Sequence, residues 1–228
     1  MKTKIVASIT ASTMDEARRD IDRASQVGAD IVELRLDYWK ERPDLNRLSS
    51  TCGLYELPMI ITIRAKDEGG HEGGYFASLE EKRLEKERIE SLERADYADF
   101  ELKHYIEFPK GETKIIVSWH DFERTPSEEE LEEIYQKISQ TNADIIKIAA
   151  QANRREDVDR MIKLLENHAS ERDMIIISMG EIGKRTRLHP ENFLTFACLE
   201  KGKASADGQF TVAEIRQHLQ GICREEEE

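Results

Sequence analysis

Eight short apolar, β-branched runs punctuate the chain: Lys4–Thr10, Asp30–Leu36, Met59–Arg64, Ala98–Leu102, Lys114–His120, Asp144–Ala149, Met174–Met179 and Leu194–Leu199. Between them, apolar residues recur at helical period over Thr13–Val27, Leu79–Ala95, Ser127–Thr141, Arg154–Glu171 and Val212–Ile222. Two of these stretches open on capping signals, Thr13 with Glu16 and Ser127 with Glu130. Strands this continuously apolar, alternating with helices, predict parallel pairing with both faces of the sheet covered. Eight such units favour a closed α/β (β/α)8 TIM barrel over an open doubly wound sheet, and no GxGxxG motif follows the first run. One connection is irregular: Pro109 and Gly111 interrupt the few residues between Leu102 and Lys114, so the fourth helix is expected to be a single turn or missing. The expected organisation is one barrel domain over residues 1–223, with the acidic run 224–228 as a frayed tail.

Parity along the strands adds to this picture, because alternate residues face opposite sides. In the second run Val32, Leu34 and Leu36 share one face while Glu33 and Arg35 share the other. The third opposes Ile61 and Ile63 to Thr62 and Arg64, the fourth Phe100 and Leu102 to Glu101, and the sixth Ile146 and Ile148 to Lys147. Ser8 and Thr10 lie on the face away from Ile9 in the first. Ionisable groups therefore point into the barrel from several strands, near the C-terminal end where barrel active sites sit. Internal salt bridging is the structural alternative. Buried charges cost several kcal/mol each unless paired or functional, so the group as a whole points to chemistry.

Composition narrows the function classes. A net charge of −13 argues against nucleic acid and anionic membrane partners, and 39% apolar residues suffice for a sizeable core. Charged residues make up 36% of the chain, mostly as mixed Glu, Lys and Arg on solvated helix faces. The cysteines, Cys52, Cys198 and Cys223, are odd in number and far apart, which suggests neither a disulfide framework nor a metal site. The N-terminus carries no signal-like apolar segment, and no apolar run is long enough to span a bilayer. A cytoplasmic globular protein is expected.

Lys147 is the candidate nucleophile. Among Ile145, Ile146 and Ile148 its ammonium form is disfavoured, and a neutral amine can attack a ketone to form an imine that acidifies the neighbouring C–H. The alternative is a structural lysine paired with Glu101 or Glu33. His120 ends the adjacent strand, about 4.8 Å away in a sequentially wound barrel, where it can act as base and acid; Asp121 or Glu68 would orient its ring. Arg35, Arg64 and Arg187 suit carboxylate recognition. The loop Gly180–Arg187 also permits phosphate, which keeps a phosphosugar aldolase in view, and a non-catalytic binding barrel is a further alternative. The glycine-rich segment Glu68–Gly74 reads as a mobile lid.

Together these residues resemble type I 3-dehydroquinate dehydratase from Lys4 to Leu219. The anchors are Glu33-Leu34-Arg35-Leu36-Asp37, Thr62-Ile63-Arg64 with Glu68-Gly69-Gly70, and Ser118-Trp119-His120-Asp121-Phe122. They continue with Asp144–Ala149, Ser178-Met179-Gly180 with Arg187-Leu188, and Ala204-Ser205-Ala206 with Gly208-Gln209. The resemblance implies dehydration of 3-dehydroquinate to 3-dehydroshikimate, without metal or cofactor, by a homodimer. It makes Lys147 the Schiff-base residue, His120 the proton donor and acceptor, and Glu68 the support of His120. Arg187 would hold the substrate carboxylate, while Ser8, Glu33, Arg35, Arg64, Ser205 and Gln209 would contact ring hydroxyls or that carboxylate. Departures are Asp207 where proline is frequent, Thr186 where serine is common, Gln151-Ala152 in place of a Met-Pro pair, and a start at Met1 that leaves no room for an N-terminal closing hairpin.

Overall fold

All eight apolar runs form strands, each within two residues of its expected bounds: β1 Lys4–Ile9, β2 Ile31–Arg35, β3 Met59–Thr62, β4 Tyr97–Glu101, β5 Lys114–Asp121, β6 Ile145–Gln151, β7 Asp173–Met179 and β8 Leu194–Ala197. This computed structural model describes residues 3–75, 95–107, 111–202, 204–206 and 208–225, with side chains of the last helix described to 219. The strands pair in the order β7-β6-β5-β4-β3-β2-β1-β8, each pair parallel. The result is a nearly closed (β/α)8 barrel, as expected.

Among the described residues the helices are α1 Met14–Gln26, α2 Leu45–Leu54, α3 Glu128–Ser139, α4 Arg155–His168, the single turn α5 Gly180–Gly183 and α6 Val212–Glu225. Helix α1 buries Ala17, Ile21 and Ala24, and α3 buries Leu131, Tyr135 and Ile138, the spacing of one helix face. Both expected caps form: Thr13 accepts from the Glu16 amide, and Ser127 and Glu130 make a reciprocal capping box. Helix α2 was not expected. Its Ser49-Ser50-Thr51 run has poor helical propensity, yet Asp44 caps it and Leu48 and Cys52 bury against the sheet. The expected helix Leu79–Ala95 lies outside the described residues, apart from Ala95. In the fourth connection the described residues hold one 3-10 turn, Leu102–His104. Helix α6 carries into the acidic run as far as Glu225.

Parity is as expected. Val32, Leu34, Ile61 and Ile63 pack outward with α1 and α2, and Ile146 and Ile148 pack outward with α3 and α4. Inside the barrel, Val6, Ile31, Ile60, Tyr97, Ile116, Ile145, Ile175 and Leu194 close the lower part as an apolar plug. Two residues further along each strand the lining changes. Strands β1 to β6 contribute Ser8, Glu33, Thr62, Asp99, Ser118 and Lys147, all buried, while β7 and β8 contribute Ile177 and Phe196.

Entry to each even strand is fixed by one polar side chain. The Asp30, Asp96 and Asp144 carboxylates accept the amides of Ile5 (2.8 Å), Met59 (2.8 Å) and Ile115 (2.7 Å) on the preceding strand. Their own amides donate back to the carbonyls of those residues. At β8 the residue is Asn192, whose side chain accepts from Ile176 N (2.7 Å) and donates to Ile176 O (3.3 Å). There it takes the place of a strand neighbour, because β7 and β8 share no ladder.

Among the described residues, no helix is long and apolar enough to cross a membrane. Cys52 and Cys198 are buried free thiols.

Candidate active site

A cavity opens at the C-terminal ends of the strands, above the apolar plug. Its lining includes the ten residues to which the resemblance gives a role: Ser8, Glu33, Arg35, Arg64, Glu68, His120, Lys147, Arg187, Ser205 and Gln209.

Lys147 sits in the middle of β6, opposite Ser118 of β5, and is buried. Its Nζ donates to Asp99 Oδ2 at 2.8 Å and lies 4.2 Å from the centre of the Phe196 ring. The partner of Lys147 is thus Asp99, rather than Glu101 or Glu33. Burial pushes the Lys147 pKa below its ordinary value, while Asp99 pulls the other way. Asp99 also takes Arg64 Nη2 at 2.9 Å and the Ser118 hydroxyl at 2.6 Å. Burial alone would raise the pKa of Asp99, but Arg64 and Lys147 hold it well below the usual carboxylate range. Asp99 was missed in the sequence although it shares the parity of Glu101 and was therefore legible there.

His120 lies two residues beyond Ser118 on β5, so its ring stands on the same face as Lys147 and nearer the mouth. Its Nδ1 lies 3.1 Å from Glu68 Oε2. Asp121, the other candidate to orient the ring, accepts the Glu123 and Arg124 amides and shapes the loop after β5. Burial, then the Arg64 and Lys147 cations, push the His120 pKa well below 6.5. Burial, with Glu101 adding to it, pushes Glu68 up to about 7. A neutral imidazole beside a proton-sharing carboxyl is the state expected near pH 7.

Arg35 and Arg64 are engaged by carboxylates of the protein. Arg35 makes a bidentate pair with Asp37 at 2.9 and 2.7 Å, and Arg64 contacts Glu101 at 3.2 Å besides Asp99. Glu33 accepts the hydroxyls of Ser8 (2.7 Å) and Thr62 (2.8 Å). Arg187 stands across the cavity with Ile177, Met179 and Phe196; it donates to the Phe196 carbonyl at 3.5 Å, and burial holds its pKa down to about 10. Ser205 and Gln209 bond each other across the loop before α6. Asp207, between them, lies outside the described residues.

Two loops at the mouth pack closely on their neighbours. The segment after β3 packs on the loop after β2: the His71 amide donates to Asp37, the His71 ring stacks on Tyr38 at 4.5 Å, and the Tyr75 amide donates to the Trp39 carbonyl. Its glycines serve close approach. Gly69 has φ +79°, and a Cβ there would meet the Phe122 ring at 2.5 Å. In the loop after β7, Gly183 likewise packs against Ser178, whose carbonyl oxygen would lie 2.5 Å from a Cβ, and Lys184 pairs with Glu181. That glycine and lysine serve packing and surface pairing, which removes the motive for a phosphate cradle.

Asp99 gives a direct prediction. Asp99→Asn keeps the shape but removes the negative charge from Lys147 Nζ, where a cationic imine would need it. The expected result is a drop in the rate of substrate-imine formation of about 10²-fold, read by borohydride trapping at timed intervals; an unchanged trapping rate would show that Asp99 does no more than fill space.

Fold and mouth together define the class: a (β/α)8 barrel carrying a buried strand lysine beside a histidine–carboxylate pair. Within that class the chain belongs to the type I 3-dehydroquinase family, whose family model matches residues 5–225. It is 38% identical over 211 residues to a 3-dehydroquinate dehydratase of Methanococcus maripaludis, covering 85% of this chain and 88% of that protein. It is 36% identical over 228 residues to the Methanocaldococcus jannaschii 3-dehydroquinate dehydratase, covering 93% and 96%. A bifunctional chloroplastic 3-dehydroquinate dehydratase/shikimate dehydrogenase of Arabidopsis thaliana is 36% identical over 92% of this chain, which spans 36% of that longer protein. Among solved structures, the 3-dehydroquinate dehydratase of Aquifex aeolicus superposes with a TM-score of 0.77 at 29% identity, covering 98% of this chain and all of that one.

Proposed function

We propose that this chain is a 3-dehydroquinate dehydratase, eliminating water from 3-dehydroquinate to give 3-dehydroshikimate in the shikimate pathway. The observation that carries the reading is the buried Lys147 Nζ on Asp99, on the same face as His120 with Glu68 behind it. Lys147 attacks the ring ketone through its neutral amine, and loss of water from that adduct gives an iminium. The positive charge then formed on Nζ stays next to Asp99. It draws electrons from the adjacent C–H bond, and His120 takes that proton to leave an enamine. The protonated His120 returns the proton to the departing hydroxyl, which leaves as water. Hydrolysis of the conjugated iminium frees Lys147 and the product. Arg187 holds the substrate carboxylate; Ser8, Glu33, Arg35, Arg64, Ser205 and Gln209 orient the ring. No cofactor or metal enters these steps. A cytoplasmic homodimer completes the reading.

Borohydride reduction in the presence of 3-dehydroquinate, followed by peptide mass mapping, tests this. A substrate-dependent mass addition on the Lys147 peptide is expected. Turnover without any adduct would replace the imine mechanism, and absence of both would reject the substrate.

A further inference from the structure

The peptide groups on either side of Arg187 are each held by a buried side chain that belongs to the seam between β7 and β8. The Thr186 carbonyl accepts from Asn192 Nδ2 at 2.8 Å, and the Arg187 carbonyl accepts from the Thr195 hydroxyl at 2.6 Å. Thr186 is itself fastened to β7: its hydroxyl donates to the Gly183 carbonyl at 2.9 Å and accepts from the Ser178 amide at 2.9 Å. Asn192 spans the gap to β7 with its remaining bonds, to both backbone groups of Ile176. All three residues are 2% exposed, so these bonds are shielded from competing water.

A ladder between β7 and β8 would satisfy the Ile176 backbone groups without the Asn192 side chain. Without it, the 3-10 turn Lys184–Leu188 is wedged into the seam, with Arg187 aimed into the cavity. We propose that Asn192, Thr186 and Thr195 are positioning residues for Arg187, setting where a substrate carboxylate binds. The seam is thus part of substrate recognition as well as part of the barrel wall. This inference rests on the proposed carboxylate-binding role of Arg187.

Steady-state kinetics with 3-dehydroquinate on single and double variants test it. Arg187→Ala is expected to raise KM. Asn192→Ala is expected to raise KM about tenfold with kcat nearly unchanged, the scale of a misplaced binding group. In the double variant Asn192→Ala adds nothing, because the group it positions is gone. Thr186→Val, which keeps shape and loses the hydroxyl, is expected to raise KM as well, with rescue by Thr186→Ser. This pair carries the test if Asn192→Ala does not fold. A KM effect of Asn192→Ala or Thr186→Val that persists in full beside Arg187→Ala overturns the proposal. So does a raised KM in Arg187→Ala with none in the seam variants. An unchanged KM in Arg187→Ala rejects the carboxylate role itself, and the inference with it.

Discussion

Lys147→Ala is expected to lower kcat by roughly 10⁵-fold, the scale on which removal of a covalent nucleophile acts, and to leave no borohydride-trapped adduct. The fold should survive. Asp99, the partner left behind, still receives Arg64 at 2.9 Å and the Ser118 hydroxyl at 2.6 Å, so the buried carboxylate is not stranded. The destabilisation expected from the lost charge-assisted bond is about 1–3 kcal/mol. Circular dichroism and a thermal melt check the fold, and a coupled or direct absorbance assay checks turnover. Near-normal turnover in a folded Lys147→Ala protein would mean that the lysine is a structural cation inside the Asp99 cluster and that the reaction proceeds without an imine.

His120→Ala separates the two halves of the proposed reaction. Imine formation needs Lys147 and Asp99, so the adduct should still form and accumulate, visible by mass without reduction. Proton removal and loss of hydroxyl need the imidazole, so kcat should fall by about 10²- to 10⁴-fold. The pH dependence follows from the same burial. His120 is pushed well below 6.5 by burial and by Arg64 and Lys147, so it is neutral and competent as a base above that lowered value. In the wild-type protein kcat/KM, which reports ionisations of the free enzyme, should therefore show no His120 limb at 6.5, that limb appearing only when the pH reaches the lower folded-state value. The variant should lose that limb. Wild-type rates, or an acid limb that persists in His120→Ala, would take the proton-transfer role from this residue.

Much of the fold and cavity was legible because strand parity is a strict period of two. Once Ile146 and Ile148 are assigned to the helix-covered face, Lys147 has nowhere to point except inward, and the same holds for Glu33 and Arg35. Asp99 obeys the same rule, two positions before Glu101 on the same face of β4. Helix α2 is not legible in that way. Its local propensity is poor, and burial of Leu48 and Cys52 supplies what propensity does not. The contacts of segment Glu68–Gly74 are not legible in sequence, because glycine signals either freedom or close approach, and the surface of Asp37, Tyr38 and Phe122 that it meets is assembled only by the fold. The β7–β8 seam was illegible in principle. Nothing in a sequence period reveals that an asparagine amide stands where a strand's peptide group would.

The side chains at the entries to the even strands give the barrel a modular character that its sequence conceals. Each clasps a backbone amide within its own strand–connection–strand quarter, at separations of 25, 37, 29 and 16 positions; Asp30 also accepts from Arg216 of α6 through its other carboxylate oxygen. Registration is therefore local four times over, whatever order the quarters follow along the chain. A circular permutant opened in a loop between quarters would keep all four of these clasps, so connectivity and strand alignment are separable properties of this barrel.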